Sequence, residues 1–155
     1  MGIFKIENLE TGKGDLCRRI LQTLPEWFGI PEAIEMYAQG VESVPTLVCK
    51  ADDGSIAGFL VVKPHTSFAM EAYVLGVRPE WQRRGCGRLL FEAAEKMARD
   101  HGARFLTVKT IADSGPDPHY EGTRLFYEAI GFVPVEVFPT FWGPRNPCLF
   151  MVKAL

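Results

Sequence analysis

Several signals that would place this chain in a familiar class are absent. No run approaches the roughly 20 apolar residues of a membrane span, so no membrane partner is expected. The first eight residues lack a basic stretch followed by an apolar core, so no secretory leader is expected. The four cysteines (Cys17, Cys49, Cys86, Cys148) are scattered, with no C-x-x-C, which favours a reducing, cytoplasmic compartment over a disulfide framework. His65, His101 and His119 are too dispersed for a zinc site, and no H-x-x-x-H pair exists, so no metal is expected. Excess positive charge is missing as well. The net charge is −2 and the pI near 5.9, which argues against a nucleic-acid partner. Repeats, low-complexity tracts and linkers are also lacking, so residues 1–155 are expected to form one domain around one core.

What the chain does contain is a local electrostatic anomaly. Residues 78–88 hold four arginines and one glutamate, a local charge of +3. The stretch Gln82-Arg83-Arg84-Gly85-Cys86-Gly87-Arg88 follows an apolar run and opens a strongly periodic helix. A helix N-terminus carries partial positive charge and favours acidic neighbours. Here Arg83, Arg84 and Arg88 crowd that end instead. A bound polyanion resolves the conflict, because free backbone N–H groups, the helix dipole and the arginines would all favour it. Gly85 and Gly87 would let the backbone approach a phosphate closely. A plain strand-to-helix turn with solvated arginines is the alternative. The P-loop pattern is excluded because no Gly-Lys-Ser/Thr occurs. The dinucleotide pattern G-x-G-x-x-G fails because Leu90 stands where the third glycine is required.

The surrounding pattern places this loop. Strands are expected over Ile3–Leu9, Thr46–Ala51, Ile56–Lys63, Phe68–Val77, Arg104–Lys109, Phe132–Phe138 and Cys148–Lys153. Asp15 is positioned to cap a first helix, and Pro31 suits the first turn of a second. A long helix from Gly85 to His101 would bury Leu90, Ala93, Ala94, Met97 and His101. A short one follows from Glu121 to Ile130. Strand, helix and strand over residues 68–109 imply a right-handed parallel crossover. The fold class is α/β of the mixed α+β kind: a seven-stranded sheet, mostly antiparallel, flanked by about four helices.

Gln82-Arg83-Arg84-Gly85-Cys86-Gly87 matches the Q/R-x-x-G-x-G/A signature of the GCN5-related N-acetyltransferases (GNAT). A second element, Leu125-Phe126-Tyr127-Glu128-Ala129-Ile130-Gly131-Phe132, resembles that family's F-Y-E-x-x-G-F segment. Element order and the interval between the two also match. The resemblance covers Thr46 to the C-terminus; residues 1–44 match only as a strand and two helices. It implies that acetyl-CoA is the cosubstrate, with no metal. Its pyrophosphate would lie on Gln82 to Arg88, including the backbone at Cys86. The pantetheine arm would bond backbone near Leu75 and Val77, beside a bulge that splays this strand from the next. Phe126 joins the expected cofactor-binding set.

Acetyl transfer to an amine needs a proton acceptor, a polarised carbonyl, a proton donor for the thiolate, and close positioning. Tyr127 is the candidate donor. It lies about 130° from the centre of a stripe formed by Leu125, Phe126, Ala129 and Ile130, counting ~100° per residue. A phenol there would sit at the edge of the packed face and look into a cleft. The resemblance makes the same assignment, and an ordinary boundary tyrosine is the alternative. Glu71 is the candidate base, the one charge in an apolar strand, whose burial would raise its pKa usefully. Its position resembles that of the catalytic glutamate in the histone-acetyltransferase branch. A water relay, or a merely solvated Glu71, remains open. Leu75 and Val77 share the Glu71 face by period two. Cys86 stands in the variable position of the signature, with no nearby histidine, and is not expected to be a nucleophile. Asp113, Asp117, His119, Tyr120, Glu121, Arg124, Phe141 and Trp142 are candidates for the acceptor side, and Trp27 and Phe28 either join that pocket or are core. The expected function is N-acetylation of a small-molecule primary amine. A protein lysine or N-terminal acetyltransferase and a non-catalytic acyl-CoA sensor are the alternatives. A homodimer is common in the family, though no residue here demands it.

Overall fold

The computed structural model describes residues 3–113 and 117–155. Seven strands form one sheet in the order β1-β2-β3-β4-β5-β7-β6. They are β1 (Phe4–Leu9), β2 (Thr46–Ala51), β3 (Ile56–Pro64), β4 (Ala69–Val77), β5 (Phe105–Ile111), β6 (Val133–Phe138) and β7 (Cys148–Ala154). The helices are α1 (Lys13–Leu21), α2 (Pro31–Gly40), α3 (Cys86–Asp100) and α4 (Pro118–Ala129). Every neighbouring pair of strands is antiparallel except β4 and β5, which are parallel. The β4–α3–β5 crossover therefore pairs in the expected sense, and the mixed seven-stranded sheet is present. No helix among the described residues is long and apolar enough to cross a membrane.

Alternation along the strands supplies two cores, one on each face. On the first face α3 and α4 cover Leu47, Leu60, Val62, Met70, Ala72, Leu106, Val108 and Met151. On the second, α1 and the chain around α2 cover Val48, Phe59, Val61 and Val74. β2 and β3 are buried on both faces, so they read as continuous apolar runs.

Three local expectations differ. Asp15 is not the cap of α1. That helix starts earlier, at Gly12, which takes a left-handed φ of 71°. The Glu42 carboxylate accepts from the Lys13 and Gly14 N–H groups at 3.1 and 3.4 Å, so a remote acid does the capping. Asp15 instead pairs with Arg19 at 2.8 Å. In α3 the buried stripe runs through Cys86, Leu90, Phe91, Ala94 and Ala98, and His101 is exposed. The alanines bring the helix close to the sheet, which centres the stripe on Leu90 and Ala94 rather than on Ala93 and Met97. Finally, α4 begins at Pro118 rather than Glu121. The Asp117 side chain accepts from the His119 and Tyr120 N–H groups at 3.0 and 3.4 Å, and proline at the first helical position costs no hydrogen bond.

The feature that positions the site is a gap. β4 and β5 pair only at Ala69, Met70 and Glu71 against Phe105, Leu106 and Thr107. Beyond that the two strands part. On its other edge β4 carries a bulge. Val61 faces Val74 while Val62 faces Ala72, so Tyr73 is extra. A bulge is thus found in the strand where the resemblance implied one.

Candidate active site

The arginine loop closes the wide end of the gap. A short 3-10 turn, Pro79–Trp81, leads out of β4. The Gln82 Nε2 group then donates to the Val77 carbonyl at 2.9 Å and ties the loop to the strand end. Gln82 is therefore a brace for the loop. Arg83 adopts a left-handed φ of 62° and Gly85 one of 92°. A non-glycine residue in that region is strained, by about 1–3 kcal/mol, and persists only where its surroundings hold it. α3 has no side-chain cap, and the first bond back along the helix runs from the Leu89 N–H to Gly85. The N–H groups of Cys86, Gly87 and Arg88 are left without intrahelical partners. Arg83, Arg84 and Arg88 are exposed, and among the described residues none of them has a carboxylate partner. Arg84 lies over the Trp81 ring at 5.4 Å. The loop therefore presents fixed donors and unneutralised charge to the same space.

Phe126 reaches this loop from α4. A Cβ added at Gly87 would stand 3.3 Å from the Phe126 ring, so the glycine permits the contact. Leu75 and Val77 pack on the same face of the sheet as Cys86 and Tyr127. The Arg78 N–H bonds Ala57 on β3. By antiparallel alternation, the N–H and C=O groups of Leu75 and Val77 then point away from β3, into the gap. A strand edge left open inside a fold demands hydrogen-bond partners. Leu75, Val77, the loop and Phe126 are thus brought together.

Tyr127 departs from expectation in its surroundings. It is the most buried residue of α4, at 4% exposure, whereas Leu125 is 58% exposed. The packed stripe of α4 runs through Thr123, Tyr127 and Ile130, so Tyr127 lies at its centre and not at its edge. Its ring sits among Phe91, Phe126 and Phe132, at centroid distances of 5.7, 5.9 and 5.8 Å. These aromatic edges claim Tyr127, and Leu125 and Ala129 are left to solvent. The hydroxyl makes no hydrogen bond to another described residue, and it is not among the fully buried side-chain oxygens left without a partner, of which the described residues have none. Burial, with a smaller contribution from Tyr120, pushes its pKa above the ordinary phenol value. Tyr127 therefore stays protonated through the physiological range.

Glu71 differs more. It is 3% exposed and both oxygens are engaged. Oε1 lies 2.6 Å from His65 Nε2, and Oε2 accepts from Lys109 Nζ at 3.0 Å. It does not share a face with Leu75 and Val77. The extra residue at Tyr73 shifts the alternation by one. Glu71 consequently faces the α1–α2 side, and Leu75 and Val77 face α3. His65 and Lys109 are the residues that sequence reasoning missed. The signal was present in general form, because a buried carboxylate requires cationic or hydrogen-bonding partners. Their identity depended on tertiary contact.

On the Glu71 side of the sheet lies a cleft of about 430 Å³ lined by His65, Ala69, Thr107, Lys109, Phe138, Phe141 and Phe150. Lys109 Nζ stands 5.6 Å from the Phe141 ring centre and 6.0 Å from that of Phe150. Of the acceptor-side candidates, Phe141 lines this cleft and Trp142 packs beside it at 5.9 Å. The others go elsewhere. Asp117 is a helix cap, the Tyr120 hydroxyl donates to the Trp27 carbonyl at 2.6 Å, and Arg124 donates to the Ile111 carbonyl at 2.8 Å. Trp27 Nε1 in turn donates to Thr123 at 3.0 Å, so the α1–α2 connection is pinned to α4. Between β5 and α4, residues 114–116 lie outside the described residues.

Cys86 is 1% exposed, beside Cys49, and burial raises both thiols. Cys17 is pushed up to about 12 by burial, and Cys148 is also raised. A thiol is nucleophilic as thiolate. The four cysteines are therefore expected to ignore a thiol reagent such as 5,5′-dithiobis(2-nitrobenzoate) near neutral pH, and all four to react after unfolding. Rapid labelling of one native thiol would identify an accessible cysteine and contradict this.

Among the described residues no group of three or more His, Cys, Asp or Glu side chains is arranged to hold a metal ion. Comparison with known proteins agrees with the geometry. The chain is 32% identical over 104 residues to the mycothiol acetyltransferase of Nocardiopsis dassonvillei, covering 62% of this chain and 30% of that protein. It thus spans about a third of that relative's length. A GNAT-family acetyltransferase from Desulfovibrio desulfuricans superposes with a TM-score of 0.82 at 21% identity, over 97% of this chain and 98% of that one. One from Elizabethkingia anophelis with acetyl-CoA bound superposes with a TM-score of 0.77 at 17% identity, over the full length of both chains. Residues 43–134, which carry the loop, the gap, Glu71 and Tyr127, match the acetyltransferase (GNAT) domain, and the chain belongs to that family.

Proposed function

We propose that this protein is an acetyl-CoA-dependent N-acetyltransferase acting on the primary amine of a small molecule. The observation that carries the reading is the open edge of β4 running into the uncapped, arginine-rich start of α3. A pyrophosphate suits the free N–H groups and Arg83, Arg84 and Arg88. A pantetheine arm carries amides that match the open N–H and C=O of Leu75 and the N–H of Val77, the Val77 carbonyl being held by Gln82. The solved relative with acetyl-CoA bound has the same fold.

The thioester then lies in the gap, between the two faces. The acceptor approaches from the Glu71 side and attacks the carbonyl carbon directly. The C–N bond forms, the C–S bond breaks, and the Tyr127 hydroxyl gives its proton to the departing sulfur. The amine's proton leaves through water or His65, with Glu71 as the anchoring carboxylate. His65 enters because both Glu71 oxygens are engaged, whereas the imidazole is 40% exposed and lines the cleft.

Two measurements test this reading. Release of free thiol from acetyl-CoA in the presence of amines separates an enzyme from a sensor; stabilisation by CoA with no turnover of any amine would favour the sensor. Replacing Arg83 and Arg84 together by alanine should weaken CoA at least tenfold, about 1.4 kcal/mol. Pantetheine, which has no pyrophosphate, should be nearly unaffected. Equal losses for the two ligands would remove the anion-loop assignment.

A further inference from the structure

Resting on that function, we infer that the acceptor is an aromatic monoamine, taken up as its free base in the cleft of Phe138, Phe141 and Phe150. The walls state the chemistry. Three phenyl rings and Ala69 line the cleft, and no residue of the lining is acidic. Glu71, bonded to the lining residues His65 and Lys109, has both oxygens engaged. A polycationic acceptor would therefore meet no carboxylate in the lining.

The position that a cation would prefer is also occupied. An ammonium gains most over an aromatic face. Lys109 already holds that place over Phe141 and Phe150, at 5.6 and 6.0 Å. A second ammonium would be repelled by it. A neighbouring cation lowers the pKa of an amine, and a neutral amine is the form that attacks a thioester. Lys109 thus has a second use besides its bond to Glu71: it selects against charged acceptors and favours the reactive form. The ring of an arylalkylamine fills the space beside Phe141, which is 59% exposed at the turn between β6 and β7 and is free to pack on it.

Titration calorimetry on the CoA-loaded protein tests this with three probes: 2-phenylethylamine, n-butylamine and spermidine. 2-Phenylethylamine should bind at least tenfold more tightly than either of the others. Phe141→Ala should remove most of its advantage over n-butylamine while leaving CoA binding unchanged. Spermidine binding as tightly as 2-phenylethylamine would overturn the proposal. So would absent binding of 2-phenylethylamine, or a Phe141→Ala variant that retains the preference. The preceding titration of CoA alone keeps the two readings apart. Failure there counts against the acetyl-CoA function, whereas CoA binding without an aromatic preference counts against the acceptor class only.

Discussion

Tyr127→Phe should lower kcat by about a hundredfold or more, the range expected for loss of a positioned acid, and leave the fold intact. The substitution removes one oxygen and keeps the ring. That ring packs against Phe91, Phe126 and Phe132, so the aromatic contacts survive. Among the described residues the hydroxyl makes no hydrogen bond whose loss would cost stability. The variant should therefore melt at about the same temperature. CoA affinity should stay within about threefold, because Phe126 and the loop are untouched. Steady-state kinetics with acetyl-CoA, beside calorimetry with CoA, would show this split. Unchanged kcat would take Tyr127 out of the mechanism. A parallel collapse of CoA affinity would mean that the phenol serves binding.

Lys109→Met should be the most destabilising of the site substitutions. The Glu71 carboxylate is nearly inaccessible, and the Lys109 side chain is 21% exposed. Removing one partner of a buried pair leaves an uncompensated charge, a loss of about 3–5 kcal/mol. The remaining bond to His65 should hold the loss near the lower figure, about 3 kcal/mol. At 2–4 °C per kcal/mol for a domain of this size, the melting temperature should fall by roughly 6–12 °C. Replacing Glu71 and Lys109 together by methionine should recover most of that stability, since no buried charge is then stranded. Urea unfolding of the two variants measures both numbers. A single-variant loss below about 1 kcal/mol would show that solvent screens the pair.

Much of this architecture was readable before any coordinates, and the misreadings share a cause. The positions of the strands along the chain follow from alternation and turn chemistry, which are local. The anion loop was legible because Arg83, Arg84 and Arg88 contradict the helix dipole within a single turn. Where distant residues decide, local reasoning went astray. Asp15 looked like a cap until Glu42, from beyond α2, took the role. Tyr127 reads as a rim residue because Leu125 and Ala129 are apolar, yet three phenylalanines, from α3, from α4 and from the residue before β6, claim the phenol. Glu71 was assigned to the face of Leu75 and Val77 because period-two counting assumes an unbroken ladder, and the insertion at Tyr73 breaks it. His65 and Lys109 meet Glu71 only through the tertiary fold.

That insertion has a consequence for how such a chain diversifies. Because the two halves of β4 are out of phase, each half presents its side chains to a different face of the sheet. In the proposed function, residues 69 and 71 address the acceptor, while residues 75 and 77 address the donor. A substitution in the first half should then alter what is acetylated and leave the acetyl source alone. On that reading one strand carries two independently adjustable specificities, separated by a single extra residue.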